Sequence, residues 1–182
     1  MKAKTLSLTQ NPTQKLSVQI GAALLLLLVA VLLPFVVHLI PSSGPVPVGA
    51  KLLPIFIAPF VAVLFFRFPV ALMIAVVSPL INALLFGKPD PAFTLRLTLE
   101  LMAFVSIAFY LKDWVGMRWV NAPISLILAK LIMAAVLFII PFGFDYGHTL
   151  AQFPVMISTA AAGLSILWLI NILLLSLKIR MQ

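Results

Sequence analysis

Cysteine is absent from this 182-residue chain, so disulfides, thiolate metal sites and a cysteine nucleophile are excluded. Acidic side chains are nearly as scarce, with 4 Asp and Glu against 12 Lys and Arg. The chain has 2 histidines, and no grouping of His, Asp and Glu has metal-ligand spacing. A Gly-x-Ser-x-Gly turn is also missing, which leaves an intramembrane enzyme without visible catalytic groups. No polar stretch is long enough to form a second, water-soluble domain. The chain therefore reads as one integral-membrane domain, 1–182, and not as an enzyme.

What fills the sequence is aliphatic. Hydrophobic residues make up 64% and charged residues 9%, and mean hydropathy is +1.24, unlike any ordinary soluble domain. Apolar runs of roughly 20 residues recur, each broken by a short Pro, Gly or charged turn, which is the pattern of a polytopic α-helical membrane protein. An outer-membrane barrel needs short alternating segments instead. The expected fold is an all-α bundle of six transmembrane helices, at about 17–40, 49–66, 69–86, 93–111, 120–142 and 151–177. The run from Val18 to Ile40 is too long for a signal-peptide core and lacks a small-residue cleavage site before Pro41, so it is the first span.

The formal net charge of +8 resembles that of a nucleic-acid binder, but its placement excludes that partner. Lys2, Lys4, Lys15, Arg67, Lys112, Arg118, Lys178 and Arg180 gather on one side of the expected spans, and only Lys51 and Lys88 lie in loops on the other. Positive residues retained on the cytoplasmic side put both termini in the cytoplasm. Trp114 and Trp119 flank the inner connection between the fourth and fifth spans, where amphipathic rings favour the interface. The outer connections PSSGPVPVGAK, GKPDPAF and FGFDYGHT are rich in Pro and Gly and carry Asp90, Asp145, Tyr146 and His148. They either shape a lid over a site or simply end helices.

Three charges interrupt the apolar runs: Arg96 and Glu100 in FTLRLTLELMAF, and Lys130 in LILAKLIMA. A charge at bilayer depth costs several kcal/mol, about 2.5–3.5 on insertion scales, and is normally aimed at a partner, a cavity or a ligand. Arg96 and Glu100 fall within about 10 Å of the outer end of the fourth span, and Lys130 is near mid-depth within reach of Glu100. Ser78 and Asn82 share a face in the outer half of the third span. His38 and Lys51 lie at outer span ends, and Ser158 and Thr159 in the outer half of the last span. Pro34, Pro54, Pro59 and Pro79 each free a backbone carbonyl at outer or middle depth. Only Asn171 clearly belongs to the inner half, so polarity is expected to crowd toward the outer face around a ligand pocket.

Each of these groups also has a role that needs no ligand. Arg96, Glu100 and Lys130 either neutralise one another or leave a cationic surplus for an anionic ligand, with Lys51 adding to it. Ser78 and Asn82 either bind ligand or hydrogen-bond across helices. His38 is either interfacial or part of the pocket. Ala71 and Ala75, Thr159 and Gly163, and Gly21 with Ala22 and Ala23 present small surfaces for close helix approach, within the bundle or against a partner subunit.

GPVPVGAKLLPIFIAPFVAVLF, followed by VVSPLINALLFGKPDP and LTLELMAFVSIAFYL, resembles the substrate-binding S components of energy-coupling factor (ECF) vitamin transporters. The similarity covers roughly residues 30–112. It rests on Leu52-Leu53-Pro54, Ser78-Pro79, Gly87 and Pro89, and Leu99-Glu100-Leu101. The chain departs from the family pattern where Ile55 and Phe56 replace a Met-His pair, and in lacking an Ala-xxx-Ala surface on the first span. The resemblance implies a six-helix bundle in a bacterial or archaeal cytoplasmic membrane, with a vitamin-like micronutrient held near the outer face. It further implies a membrane-embedded coupling (T) protein and two cytoplasmic ATPases as partners. No GxxxxGK[ST] motif and no cofactor site are present, so ATP hydrolysis is expected from those partners. An autonomous secondary transporter or channel, or a structural membrane subunit, are the competing expectations.

Overall fold

The fold, taken from a computed structural model, is described for residues 12–41, 48–86, 91–139 and 146–180; side chains 12–16, 50, 137, 138 and 146–159 are outside that description. Seven α-helices follow in order: α1 (Pro12–His38), α2 (Val48–Leu52), α3 (Ile57–Phe65), α4 (Phe68–Phe86), α5 (Pro91–Leu111), α6 (Asn121–Ile139) and α7 (Tyr146–Arg180). A turn of 3-10 helix, Pro54–Phe56, joins α2 to α3. No strand occurs among the described residues. Four helical stretches are long and apolar enough to cross a bilayer: Ser17–His38, Phe68–Phe86, Pro91–Leu111 and Ala160–Arg180. Shorter apolar helices occupy Pro54–Phe65 and Asn121–Val136. These helices make the chain a multi-pass membrane protein.

The expected second span, 49–66, is not one helix. Pro54 has no N–H and its ring crowds the carbonyl four residues earlier, so a helix through it is broken. The residue before a proline is also turned away from the right-handed helical region. Leu53 takes φ 53 and ψ 43, the left-handed region instead of the extended one a following proline favours, which costs an L-residue about 1–2 kcal/mol. Its N–H still donates to Gly49 O at 3.1 Å, and its carbonyl accepts from Phe56 N at 3.1 Å. Pro34 and Pro79 are tolerated inside α1 and α4. At Pro34 the carbonyl is taken by His38 Nδ1 at 2.6 Å.

Helices inside a bilayer gain little from hiding apolar area from lipid, so packing and small residues set their approach. Ala58, Ala62, Ala71, Ala75, Ala108, Ala122 and Ala129 are fully buried. Between them Phe56 and Phe60 meet Phe104, edge to face at 5.2 Å and tilted at 6.1 Å. Such aromatic contacts contribute about 0.5–1.5 kcal/mol beyond packing area. Ala71 and Ala75 are fully buried and pack inside the bundle, the first of the two roles their spacing allowed. Gly21 and Ala22 are exposed, and a Cβ at Gly21 would meet nothing within 4 Å. Leu24, Leu25, Leu28 and Leu32 of α1 are exposed as well, as a lipid-facing helix requires.

The contacts sort the helix ends into two groups. Phe35 of α1 stacks on Phe86 of α4 at 4.5 Å, and His38 lies against Gly49, defining one end of the bundle. At the opposite end Lys112 and Lys178 reach the last turn of α3. The outer-loop residues Lys88, Asp90 and Asp145 fall outside the described residues, as do the side chains of Tyr146, His148, Ser158 and Thr159.

Candidate functional site

α5 and α6 carry the charges of the candidate site. Lys130 Nζ donates to Glu100 Oε1 at 2.8 Å, with the two side chains 16% and 7% exposed. Glu100 is nine residues beyond Pro91, and Lys130 nine beyond Asn121, so at 1.5 Å per residue each stands about 13 Å into its helix. The pair is therefore near the middle of both helices, as expected for Lys130 and slightly deeper than expected for Glu100. Lys130 Nζ also stands 6.0 Å from the centroid of the Phe56 ring, at the outer limit of a cation–π contact. Phe56 closes the 3-10 turn. The ion pair and the break in the second helical segment are thus neighbours.

α7 packs against the same break. A Cβ at Gly163 would lie 2.7 Å from Leu53 Cγ and Cδ1 and 2.8 Å from the Lys51 carbonyl oxygen. Only glycine lets α7 approach that closely, and its position fixes where the left-handed residue sits. Lys51 is half-buried in α2, and its backbone, not its ammonium, makes the recorded contact. A Cβ at Gly49 would lie 2.6 Å from His38 Cε1, so His38 packs over α2 while hydrogen-bonding within α1.

Other expected site residues are placed separately. Ser78 is fully buried on α4, its Oγ has no hydrogen-bond partner, and Asn82 Nδ2 donates to the Ser78 carbonyl at 2.9 Å. Thr98 Oγ1 likewise donates within its own helix, to Thr94 O at 2.8 Å. Arg96 is half-buried one turn before Glu100 and has interactions of its own. Glu100, Lys130 and the Leu53–Phe56 break are brought together, while His38 lies against Gly49, whose carbonyl accepts from Leu53 N.

The opposite end is not the apolar region expected. Asn121, fully buried at the start of α6, donates from Nδ2 to Ala108 O at 2.9 Å and accepts from Ser125 Oγ at 2.9 Å. Asn171 Nδ2 donates to Arg118 O at 3.0 Å, and Trp168 Nε1 to Trp119 O at 3.1 Å. Lys112 and Lys178 donate to the Val63 and Leu64 carbonyls at 3.5 and 3.1 Å. Burial holds the Lys112 ammonium below the usual lysine pKa; Asp113 opposes that shift and Lys178 adds to it. Of these residues the sequence reading singles out Lys112, Lys178, Arg118, Trp119 and Asn171 but not Asn121, Ser125 or Trp168, although Asn121, two residues before Pro123, is a recognisable helix start.

Among the described residues no group of three or more His, Asp and Glu could hold a metal ion. The chemistry available at the Glu100–Lys130 pair is recognition: a carboxylate acceptor, an ammonium donor and an aromatic face in surroundings of low polarity. Compared with family models, curated protein sequences and solved structures, the chain matches none.

Proposed function

We propose that this chain is the substrate-capture subunit of an ATP-driven importer of the energy-coupling factor type, binding a vitamin or related micronutrient. In this reading the bundle spans the cytoplasmic membrane of a bacterium or archaeon six times with both termini inside. A coupling protein and two ATPases complete the transporter, and the exposed Gly21–Ala22 surface of α1 is where the coupling protein docks. The observation that carries the reading is the Glu100–Lys130 pair lying beside the Leu53 break, with Phe56 touching both regions. Interrupted helices next to ionisable groups at membrane depth are how transport proteins build polar sites away from water.

The test is mass spectrometry of small molecules released from the purified chain. A near-stoichiometric, polar micronutrient, lost from Lys130→Ala and Glu100→Gln while insertion is retained, is the expected result. Repeated ligand-free preparations, with no uptake beside any coupling module, would overturn it. A second reading, a structural membrane subunit, is favoured by the 2.8 Å closure of Glu100 on Lys130, since each charge already has a partner. Under it the same variants lose stability and no bound molecule is found.

A further inference from the structure

The basic end of the bundle carries more positive charge than its own architecture consumes. The last-turn carbonyls of α3 form the negative end of one helix dipole, equivalent to about half an elementary charge. Two full charges converge on it: Lys112 on Val63 O and Lys178 on the next carbonyl, Leu64 O. The ammonium groups are close enough for Lys178 to disfavour the charged form of Lys112. Arg67 is exposed two residues past the end of α3, Arg180 is exposed at the end of α7, and Asp113 is the one carboxylate among the described residues of this end. An ammonium has three N–H donors; each lysine uses one on these carbonyls, and Lys112 Nζ also stands 3.5 Å over the Phe109 ring.

The surroundings say what supplies the missing negative charge. Both lysines stand where helices end, Lys112 just past α5 and Lys178 in the last turn of α7. Phe65 and Leu177, chain neighbours of Leu64 and Lys178, are exposed and apolar. Tyr110, Trp114 and Trp119 are exposed around the same end, the residue types that settle at the membrane–water boundary. A phosphodiester presents two anionic oxygens to the ammonium pair while its acyl chains lie along Phe65 and Leu177. We infer that Lys112 and Lys178, held over the end of α3, form a binding site for an anionic phospholipid headgroup. The site is distinct from the Glu100–Lys130 region and does not rest on the importer reading.

Native mass spectrometry of the full chain tests this, with phosphatidylglycerol and phosphatidylcholine of identical acyl chains in competition. The wild type is expected to retain phosphatidylglycerol preferentially. Lys112→Gln and Lys178→Gln keep a donor for the α3 carbonyls but remove the charge, and each is expected to lower that preference about fivefold. Lys112→Arg and Lys178→Arg are expected to preserve it. Should the double Gln variant not fold, the single variants carry the test. Equal retention of both lipids by the wild type would overturn the inference and leave this end as a surface for an acidic protein. Loss of preference in the Arg variants to the same extent as in the Gln variants would also overturn it, as would full displacement of phosphatidylglycerol by millimolar inorganic phosphate.

Discussion

Two links join α5 to α6, and they are chemically unlike. Near the α6 start, Asn121 donates to Ala108 O and accepts from Ser125, a neutral amide that satisfies its neighbours. In mid-bundle the same helices are joined by a carboxylate and an ammonium. The amide link shows that this chain can fasten the two helices without placing charge in the membrane interior. A buried ion pair recovers its desolvation cost only with good geometry, and replacement by apolar residues of similar volume is often neutral or stabilising. Holding helices together is therefore a sufficient account of Asn121, whereas the Glu100–Lys130 pair is where the proposed binding role can be tested against a structural one. A similar contrast separates the two ends of the Pro54–Phe65 segment: a left-handed residue, Leu53, precedes it, and two lysines reach the carbonyls of its last turn.

The largest expected effect tests the pair directly. Lys130→Met leaves Glu100 charged without its 2.8 Å partner, and Glu100→Gln does the same to Lys130. Each is expected to cost about 3–5 kcal/mol of stability, and the double replacement to recover most of that loss. Unfolding of the purified chain in mixed detergent measures all three. A double variant as stable as the wild type that no longer retains ligand places the charges in function. One that stays as unstable as either single variant returns them to architecture.

The helical runs were legible because bilayer thickness imposes a length, and long stretches of Leu, Ile and Val have no other use. The ion pair was legible for a related reason: with acidic residues so few, Glu100 had few competitors as a partner for Lys130, 30 residues away. Pro54 in the sequence signals only a freed carbonyl within one span, 49–66; that the helix stops there and Leu53 turns left-handed depends on packing of α7 through Gly163. The lysine caps were hidden because a backbone carbonyl has no sequence signature, and the partners lie 49 and 114 residues apart. Small residues at Ala71 and Ala75 signalled close approach without saying to what, and the answer is the interior of the bundle.

A middling effect is expected where α7 meets the break. In Gly163→Ala the new methyl would stand 2.8 Å from the Lys51 carbonyl oxygen, a backbone atom that cannot swing aside. Overpacking of this kind typically costs about 1–3 kcal/mol, and about 2 kcal/mol is expected here. The displacement falls on Lys51 to Phe56, so ligand retention should decline more than the stability loss alone accounts for. Adding Leu53→Gly relieves the left-handed strain and the contact with the new methyl but deletes a buried leucine, so neither stability nor retention is expected to recover. Full recovery of both would mean that the exact path of the break is irrelevant to binding.

Asn121→Ala is expected to have the smallest effect and sharpens the contrast from the other side. It removes the donor to Ala108 O and the acceptor for Ser125 Oγ, but leaves no buried charge behind. Ser125 can turn its hydroxyl to a carbonyl of its own helix, as Ser106, Ser165 and Ser176 already do. The expected loss is thus about 1 kcal/mol, the usual net value of a neutral hydrogen bond. Ligand retention and lipid preference should both stay at wild-type levels, because the amide touches neither the break nor the lysine pair. A fall in retention from this variant would show that the two α5–α6 links work as one unit, and the division between a structural end and a binding centre would be lost.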